Sequence, residues 1–426
     1  MATDPGTLAA VPTTNWAGNV TFTARRVHRP STVDELRRLV ARGEQVRALG
    51  TGHSFTPIAD SPGELISVAA LPPAIELDTD RSTVSVAAGV RYGDLATRLH
   101  AAGYALHNMA SLPHISVGGA CATGTHGSGD RHGNLATAVS AVEIVTADGD
   151  LVVLSRDADG DLFHGAVVGL GALGIVTRLT LAVMPAFQIR QYVYEDLPRE
   201  RFDEHWAEIF ASAYSVSLFT DWTGDRINQV WLKQLAEDRP PPRQWMGARL
   251  ADGPRNPVAG VSAVNCNEQL GVPGPWYARL PHFRPELIPS SGAELQAEYL
   301  VPRHRAIDAL DALDRIRDRI AAVLHISEIR TVAPDHLWMS PSYRRDCVAI
   351  HFTLIKDEAA VTPVLDAIEE RLAPLEARPH WGKLFRIRPD VLSGRYERWA
   401  DFVALIRRFD PMGKFRNPFT DRYFSL

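Results

Sequence analysis

The sequence predicts a two-domain α+β chain. Three observations carry that expectation. The chain has 426 residues, more than a single hydrophobic core usually organises. Its first half alternates helical patterns with short apolar runs. Its composition changes near residue 185, after which tryptophans recur at 206, 222, 231, 245 and 276 and strand-like runs dominate.

In the first half, Ser31-Thr32-Val33-Asp34-Glu35 opens a helix, with Ser31 as its cap and the acidic pair at its positive end. Leu36, Leu39 and Val40 fall on one face, and Gly43 is the expected stop. Gln45 to Leu49 and Thr83 to Val90 read as strands. Asp94 to Ala102 reads as a helix with Leu95, Leu99 and Ala102 on one face. Val142–Val145 and Leu151–Leu154 form a hairpin turning at Asp148-Gly149, and Leu179 to Val183 is a further strand. In the second half, Gln188 to Tyr194, Ser215 to Asp221, Ile227 to Lys233 and Val348 to Leu354 read as strands. Arg303 to Val323 and Val361 to Leu372 read as helices. The stretch from Asp238 to Gly274, rich in Pro, Gly and Asn, is expected to be a loop covering a site. The expected division is residues 1–185, residues 186–395, and a segment 396–426 returning to the first domain.

Bulk composition narrows the function. Hydrophobic residues make up 45% and charged residues 22%, and 45 basic residues against 50 acidic ones give a net charge of -5. No dense Lys/Arg cluster marks a nucleic-acid surface, so a small-molecule ligand is expected. Cys121, Cys266 and Cys347 lie far apart with no zinc spacing, as reduced thiols would. The N-terminus, Met1 to Ala10, lacks the pattern of a secretory signal, and no apolar run reaches the roughly 20 residues of a membrane span. A cytoplasmic protein without membrane or nucleic-acid partners is expected.

The chemistry sits first in Gly-rich stretches. Ala48-Leu49-Gly50-Thr51-Gly52-His53-Ser54 follows a strand, and Ser111 to Gly129 is dense in Gly, Ser and Thr. Glycines let a ligand approach the backbone, and successive N–H groups form anion nests. Taken alone, the first stretch is better explained by a tight strand-to-strand turn. A third run, Gly169 to Val176, has room to press against a flat ring. None matches GxGxxG opening a helix, or GxxxxGK[ST]. Together they predict nests for a large anionic cofactor. His126 and His132 lack a third ligand at suitable spacing, so no metal is expected.

Strand alternation supplies a second set. In Ile326 to Arg330, Glu328 and Arg330 share a face. In Val348 to Leu354, the even-numbered residues point one way and His351 and Thr353 the other. If these strands are neighbours, four polar groups suited to a sugar-like ligand converge. The pattern alone favours a surface ion pair instead.

These motifs, with Ser111-Leu112-Pro113-His114-Ile115-Ser116-Val117-Gly118-Gly119, Ala122 to Gly129, Glu328-Ile329-Arg330 and His380-Trp381-Gly382-Lys383, resemble the FAD-linked oxidases of the vanillyl-alcohol oxidase superfamily. Within them the chain looks most like the alditol (xylitol) oxidases, over nearly its whole length. The resemblance implies a FAD-binding PCMH-type domain and a substrate cap built on an antiparallel sheet flanked by helices. It implies covalent 8α-histidyl FAD at His53. It implies cofactor contacts from Ala48, Leu49, Gly50, Thr51, Gly52, Ser54, Ser111, Ser116, Gly119, Thr123, Gly124, Thr125, His126, Ile175, Val176 and His380. It places Ser111, Glu328, Arg330 and Thr353 on the substrate and Lys383 in catalysis. The implied reaction is hydride loss from C1 of a polyol to the flavin, with O2 reduced to H2O2, by a protein that is often monomeric.

The C1 hydroxyl must lose a proton as the hydride leaves. His351 is the expected acceptor, because an ordinary imidazole pKa of about 6.5 suits neutral operation. Arg330 and Lys383 are expected to stabilise the alkoxide. An aldonolactone oxidase or dehydrogenase of the same superfamily is the alternative, since both groups share His-Trp-Gly-Lys. A non-catalytic sugar-binding relative would be expected to lack His53 or Lys383, and both are present.

Overall fold

The computed structural model describes residues 14–284 and 293–426; the N-terminal stretch Met1 to Ala10 lies outside them. The chain opens with a parallel sheet in the order Arg26–His28, Glu64–Ser67, Val46–Leu49. The helix Val33–Arg42 connects Arg26–His28 to Val46–Leu49 and buries Leu36, Leu39 and Val40. Thr32, rather than Ser31, caps it: its hydroxyl accepts from Glu35 N at 3.1 Å. Ser31 instead donates to the Glu35 carboxylate through its N–H. Gly43 ends the helix, donating to Leu39 O at 3.0 Å.

An antiparallel sheet follows, in the order Ile75–Asp78, Thr83–Ala87, Ile175–Ala182, Val139–Val145, Leu151–Ser155. The second strand is shorter than its apolar run because Gly118 N draws off Ala88 O and Val117 N draws off Val90 O. The hairpin at Asp148-Gly149 forms as expected, with Gly149 at φ 82. The helix Tyr92–Ala101 starts earlier than its pattern and buries Tyr92, Leu95, Ala96 and Leu99; Ala102 is its exposed C-cap.

The second half builds one long antiparallel sheet. Its central strands run in the order Gln188–Pro198, Arg226–Leu235, Ser215–Thr220, Leu324–Val332, Cys347–Ile355, Glu294–Pro302. The helices Arg199–Ala211, Ala306–Asp314 and Glu358–Leu372 pack on one face. Val348, Ile350, Phe352 and Leu354 are fully buried on that side, as their alternation predicts. The expected helix 303–323 is broken. Ile316 leaves helical geometry at φ -122, ψ 16, splitting Ala306–Asp314 from Arg317–Ala321. The break keeps both Ile316 and Ile320 buried. The 238–274 loop contains two short strands, Gln244–Trp245 and Ala248–Leu250, which extend the sheet past Gln188–Pro198.

The last residues pack back on the first half. Lys414 O accepts from Val46 N at 2.9 Å, and Lys414 Nζ donates to Val40 O and Ala147 O, both at 2.7 Å. Asn417 donates to the carbonyls of Pro57, Ile58 and Asp60 while capping the terminal helix Pro418–Phe424. Among the described residues, no helix is long and apolar enough to cross a membrane.

Candidate active site

A cavity of about 440 Å³ lies where the two halves meet. One end is lined by Arg47, Leu170, Gly171 and Leu173. The middle is lined by residues 48–54, Ser116, Gly119, Thr123, Thr125 and His126. The other end is lined by Glu298, Glu328, Arg330, His351, Thr353 and Lys383.

The glycines of the first motif serve close approach. A Cβ on Gly50 would sit 2.9 Å from Ser116 Oγ, and one on Gly119 would sit 3.0 Å from the same atom. Two chain segments therefore meet with only the Ser116 hydroxyl between them, and both line the cavity. Gly52 adopts φ +70, a conformation that suits glycine and turns His53 toward the cavity wall. Trp16 stacks on the His53 ring with centroids 5.3 Å apart. Burial, with His114 nearby, lowers the His53 pKa to about 4, so the imidazole is neutral near pH 7. Its Nδ1 is buried with no hydrogen-bond partner among the described residues.

Arg47 is buried at the opposite end. Its guanidinium donates to the Phe415 and Leu170 carbonyls, and burial pushes its pKa down to about 10. No carboxylate pairs with it among the described residues, and its Nε has no partner. A buried cation with no directly paired carboxylate, a floor of backbone and an imidazole nitrogen without a hydrogen-bond partner line one cavity. These residues fit an elongated anionic dinucleotide such as FAD.

At the far end, sheet register assembles the polar cluster. Glu298, His351 and Glu328 stand opposite one another on three adjacent strands, so their side chains share a face. Glu298 is 1% exposed. It receives Lys383 Nζ at 2.7 Å and the Arg330 guanidinium, and His126 Nε2 lies 3.4 Å away. Those cations hold its carboxyl well below the usual range against the opposing effect of burial. Arg330 also donates to Ser111 Oγ at 3.3 Å, and its Nε lies 3.6 Å from Glu328. Glu328 and Arg330 are therefore a buried pair inside the cavity wall, not a surface pair.

His351 departs from its expected ordinary pKa. Burial, followed by the Lys383 charge, pushes it down to about 3. Lys383 Nζ lies 3.0 Å from His351 Nδ1. An ammonium can only donate, so Nδ1 accepts and Nε2 carries the proton toward Thr353 Oγ1 at 3.0 Å. His380 lies behind, its Nδ1 accepting from Gly382 N at 3.1 Å.

Most of the sequence-predicted residues meet at this cavity, and two do not. Ile175 is fully buried in the antiparallel sheet, opposite Val145, and leaves the cavity wall to Val176. Gly124 turns the chain at φ +66 without lining the cavity. Sequence reasoning missed Glu298, Lys233 and His282. Glu298 carried a signal, since 294, 296 and 298 are polar and 295 and 297 apolar in Glu294–Pro302. Lys233 and His282 carried none. Cys121, Cys266 and Cys347 are buried free thiols. Among the described residues, no His, Cys, Asp and Glu side chains group to hold a metal ion.

Residues 24–155 match a family described as a FAD binding domain, and residues 293–423 match the D-arabinono-1,4-lactone oxidase family. An alditol oxidase from a Streptomyces species is 54% identical over 95% of this chain and 97% of its own. The chain belongs to the alditol oxidase family. These are FAD-dependent oxidoreductases of the vanillyl-alcohol oxidase superfamily. An L-gulono-1,4-lactone dehydrogenase from Mycobacterium tuberculosis is 30% identical over 96% of this chain and 98% of its own. The fold is shared with cholesterol oxidase from B. sterolicum, at TM-score 0.78 and 16% identity over 96% of each chain. It is likewise shared with a solvent-stable cholesterol oxidase at TM-score 0.79, 15% identical over 96% of this chain and 97% of the other.

Proposed function

We propose that this protein oxidises the terminal C1 hydroxyl of polyols such as xylitol and sorbitol to the aldose, with O2 reduced to H2O2. The observation that carries the reading is the convergence of Glu298, Glu328, Arg330, His351 and Lys383 at one end of the cofactor cavity. FAD, when bound, supplies the acceptor for the hydride leaving C1 and passes the electrons to O2. His53 is the proposed covalent attachment point, through its unpartnered Nδ1. Residues 48–54, Ser111, Ser116, Gly119, Thr123, Thr125, His126, Val176 and His380 are the proposed cofactor contacts. The division into a cofactor part (1–185), a substrate part (186–395) and a returning segment (396–426) belongs to the same proposal.

Arg330 and Lys383 place positive charge where the C1 oxygen becomes negative. Such preorganised charge contributes about 10² to 10³ in rate. On polyol binding the C1 hydroxyl takes the place of the Lys383 ammonium at His351 Nδ1, and that lone pair accepts the hydroxyl proton as the hydride leaves C1. The imidazolium so formed keeps its Nε2 proton toward Thr353 Oγ1 and faces the carboxylates of Glu298 and Glu328. Glu328 and Ser111 hold the remaining hydroxyls.

Peroxide release tests the reading. Xylitol or sorbitol should give it at far lower concentration than L-gulono-1,4-lactone. Faster turnover with the lactone, or with an artificial acceptor in place of O2, would move the protein to the lactone oxidases or dehydrogenases.

A further inference from the structure

Behind Glu328, on the side away from Arg330, lies a chain of polar groups that the reaction outlined above does not use. Lys233 is 1% exposed in the middle of the large sheet. Its Nζ donates to Leu280 O, to Pro281 O at 3.0 Å and to His282 Nδ1 at 3.1 Å. Three ammonium protons thus meet three acceptors. Because the ammonium fills Nδ1 as a donor, the His282 proton resides on Nε2, which lies 2.6 Å from Glu328 Oε1. Phe219 and Trp231 stand edge-on to the His282 ring at 5.5 and 5.3 Å and fix its plane. The segment carrying His282 is tied down as well. Its own N–H donates to Ser111 O at 3.2 Å, and Asn267 Nδ2 donates to Arg279 O and Pro281 O, each at 2.6 Å.

We propose that Lys233 and His282 are positioning residues for the substrate: Lys233 locks His282 in the tautomer that donates from Nε2, and His282 thereby holds the Glu328 carboxylate ionised and oriented to accept from polyol hydroxyls away from C1. The proposal rests on the polyol reading of this site. A carboxylate has about four lone-pair positions. His282 takes one on Oε1, the Arg330 Nε lies on the Oε2 side, and the rest face the cavity that Glu328 lines. The Arg330 charge and the His282 hydrogen bond hold the Glu328 carboxyl below its usual range against the opposing effect of burial. Burial pushes Lys233 down to about 7, opposed by Glu328 and Cys266 and reinforced by Arg330. A neutral amine would offer two protons to three acceptors, so the cation is the form that satisfies this geometry.

The test uses flavin-loaded enzyme and two kinds of readout. In anaerobic rapid mixing, Lys233→Met and His282→Phe should weaken half-saturation by xylitol by about 10- to 100-fold, as expected for a lost charge-assisted hydrogen bond. The limiting rate of flavin bleaching should stay within about threefold, because no group at C1 is touched. Propane-1,2-diol, which lacks the distal hydroxyls, should show no such loss of affinity. His282→Gln, which keeps a side-chain N–H donor, should recover part of the affinity. Unchanged xylitol affinity in Lys233→Met, or an equal loss for both substrates, overturns the proposal. Selective ¹⁵N-histidine spectra supply the second readout without substrate. They should show His282 protonated at Nε2 alone in the wild type and a tautomer mixture in Lys233→Met. An Nδ1-protonated His282 in the wild type also overturns the proposal. A wild-type enzyme that xylitol does not bleach refutes the polyol reading, and the spectra then still decide the Lys233–His282 lock.

Discussion

Replacing Lys383 by Met separates the two roles assigned to it. The side chain keeps its length and loses its charge. In the intact site the ammonium sits 2.7 Å from Glu298 and 3.0 Å from His351 Nδ1. Loss of a preorganised charge at the developing alkoxide should cost about 2.7–4 kcal/mol, or about 10² to 10³ in the limiting rate of flavin bleaching. The second effect concerns pH. Lys383 is, after burial, the main cause holding His351 down to about 3. Without it, the imidazole is protonated more easily and its pKa moves back toward the ordinary value. A protonated ring cannot take the C1 proton, so the rate should fall as pH falls. The wild type should show no such acid limb from about pH 7 down to about pH 5. Anaerobic rapid mixing with saturating xylitol across that range reads both effects. A variant that bleaches within about threefold of the wild type, or that keeps a flat acid side, refutes the assignment of Lys383 and of His351 as proton acceptor together.

Other consequences are simpler to measure. His53→Ala should bind FAD without a covalent bond, so acid precipitation should leave a colourless pellet and a yellow supernatant where the wild type gives a yellow pellet. His282 and His351, lowered to about 4 and about 3, are neutral in the fold and ordinary in the unfolded chain. Below about pH 6.5 the unfolded chain binds protons at these two positions that the fold refuses, so this pair alone should lower stability by about 2.7 kcal/mol per pH unit toward pH 4. A urea midpoint equal at about pH 6.5 and about pH 5 would contradict this. Gly127→Ala would push a Cβ to 2.4 Å from Met109 O and 2.5 Å from Asn108 Oδ1. The resulting overpacking should cost about 1–3 kcal/mol and lower the melting temperature, even though Gly127 does not line the cavity.

Local chemistry made much of this protein readable before its fold was seen. The helix Val33–Arg42 announces itself by spacing and a glycine stop, and the hairpin by Asp148-Gly149. The Gly-rich stretches are readable because their density of Gly, Ser and Thr brings bare backbone and hydroxyls to a ligand, even though Val117, Cys121 and Leu173 among them join the core. What failed, failed where a choice depends on distant neighbours. Thr32 and Ser31 are equally good caps in isolation, and the position of the Glu35 carboxylate decides between them. Ile175 and Val176 are both apolar and adjacent. Only the register against Val145 turns one into the sheet core and the other toward the cavity.

The same limit explains why the centre of the site was not legible. Alternation gives the face of each residue on its own strand and says nothing about which strand lies beside it. Glu328 with Arg330, and His351 with Thr353, form two half-sites whose meeting depends on one antiparallel register, Glu328 opposite His351. Glu298 enters through a second register, opposite His351 on the other side, from the strand that precedes both in the chain. Yet Glu298 gives the cluster its charge logic. Arg330 and Lys383 are buried cations within reach of each other's field, and a carboxylate between them lets both remain charged where the alkoxide forms. The sheet thus does chemical work by register: three strands consecutive in the chain but reordered in the sheet bring a carboxylate, an imidazole and a carboxylate into one row, and the cations of the neighbouring positions close around it.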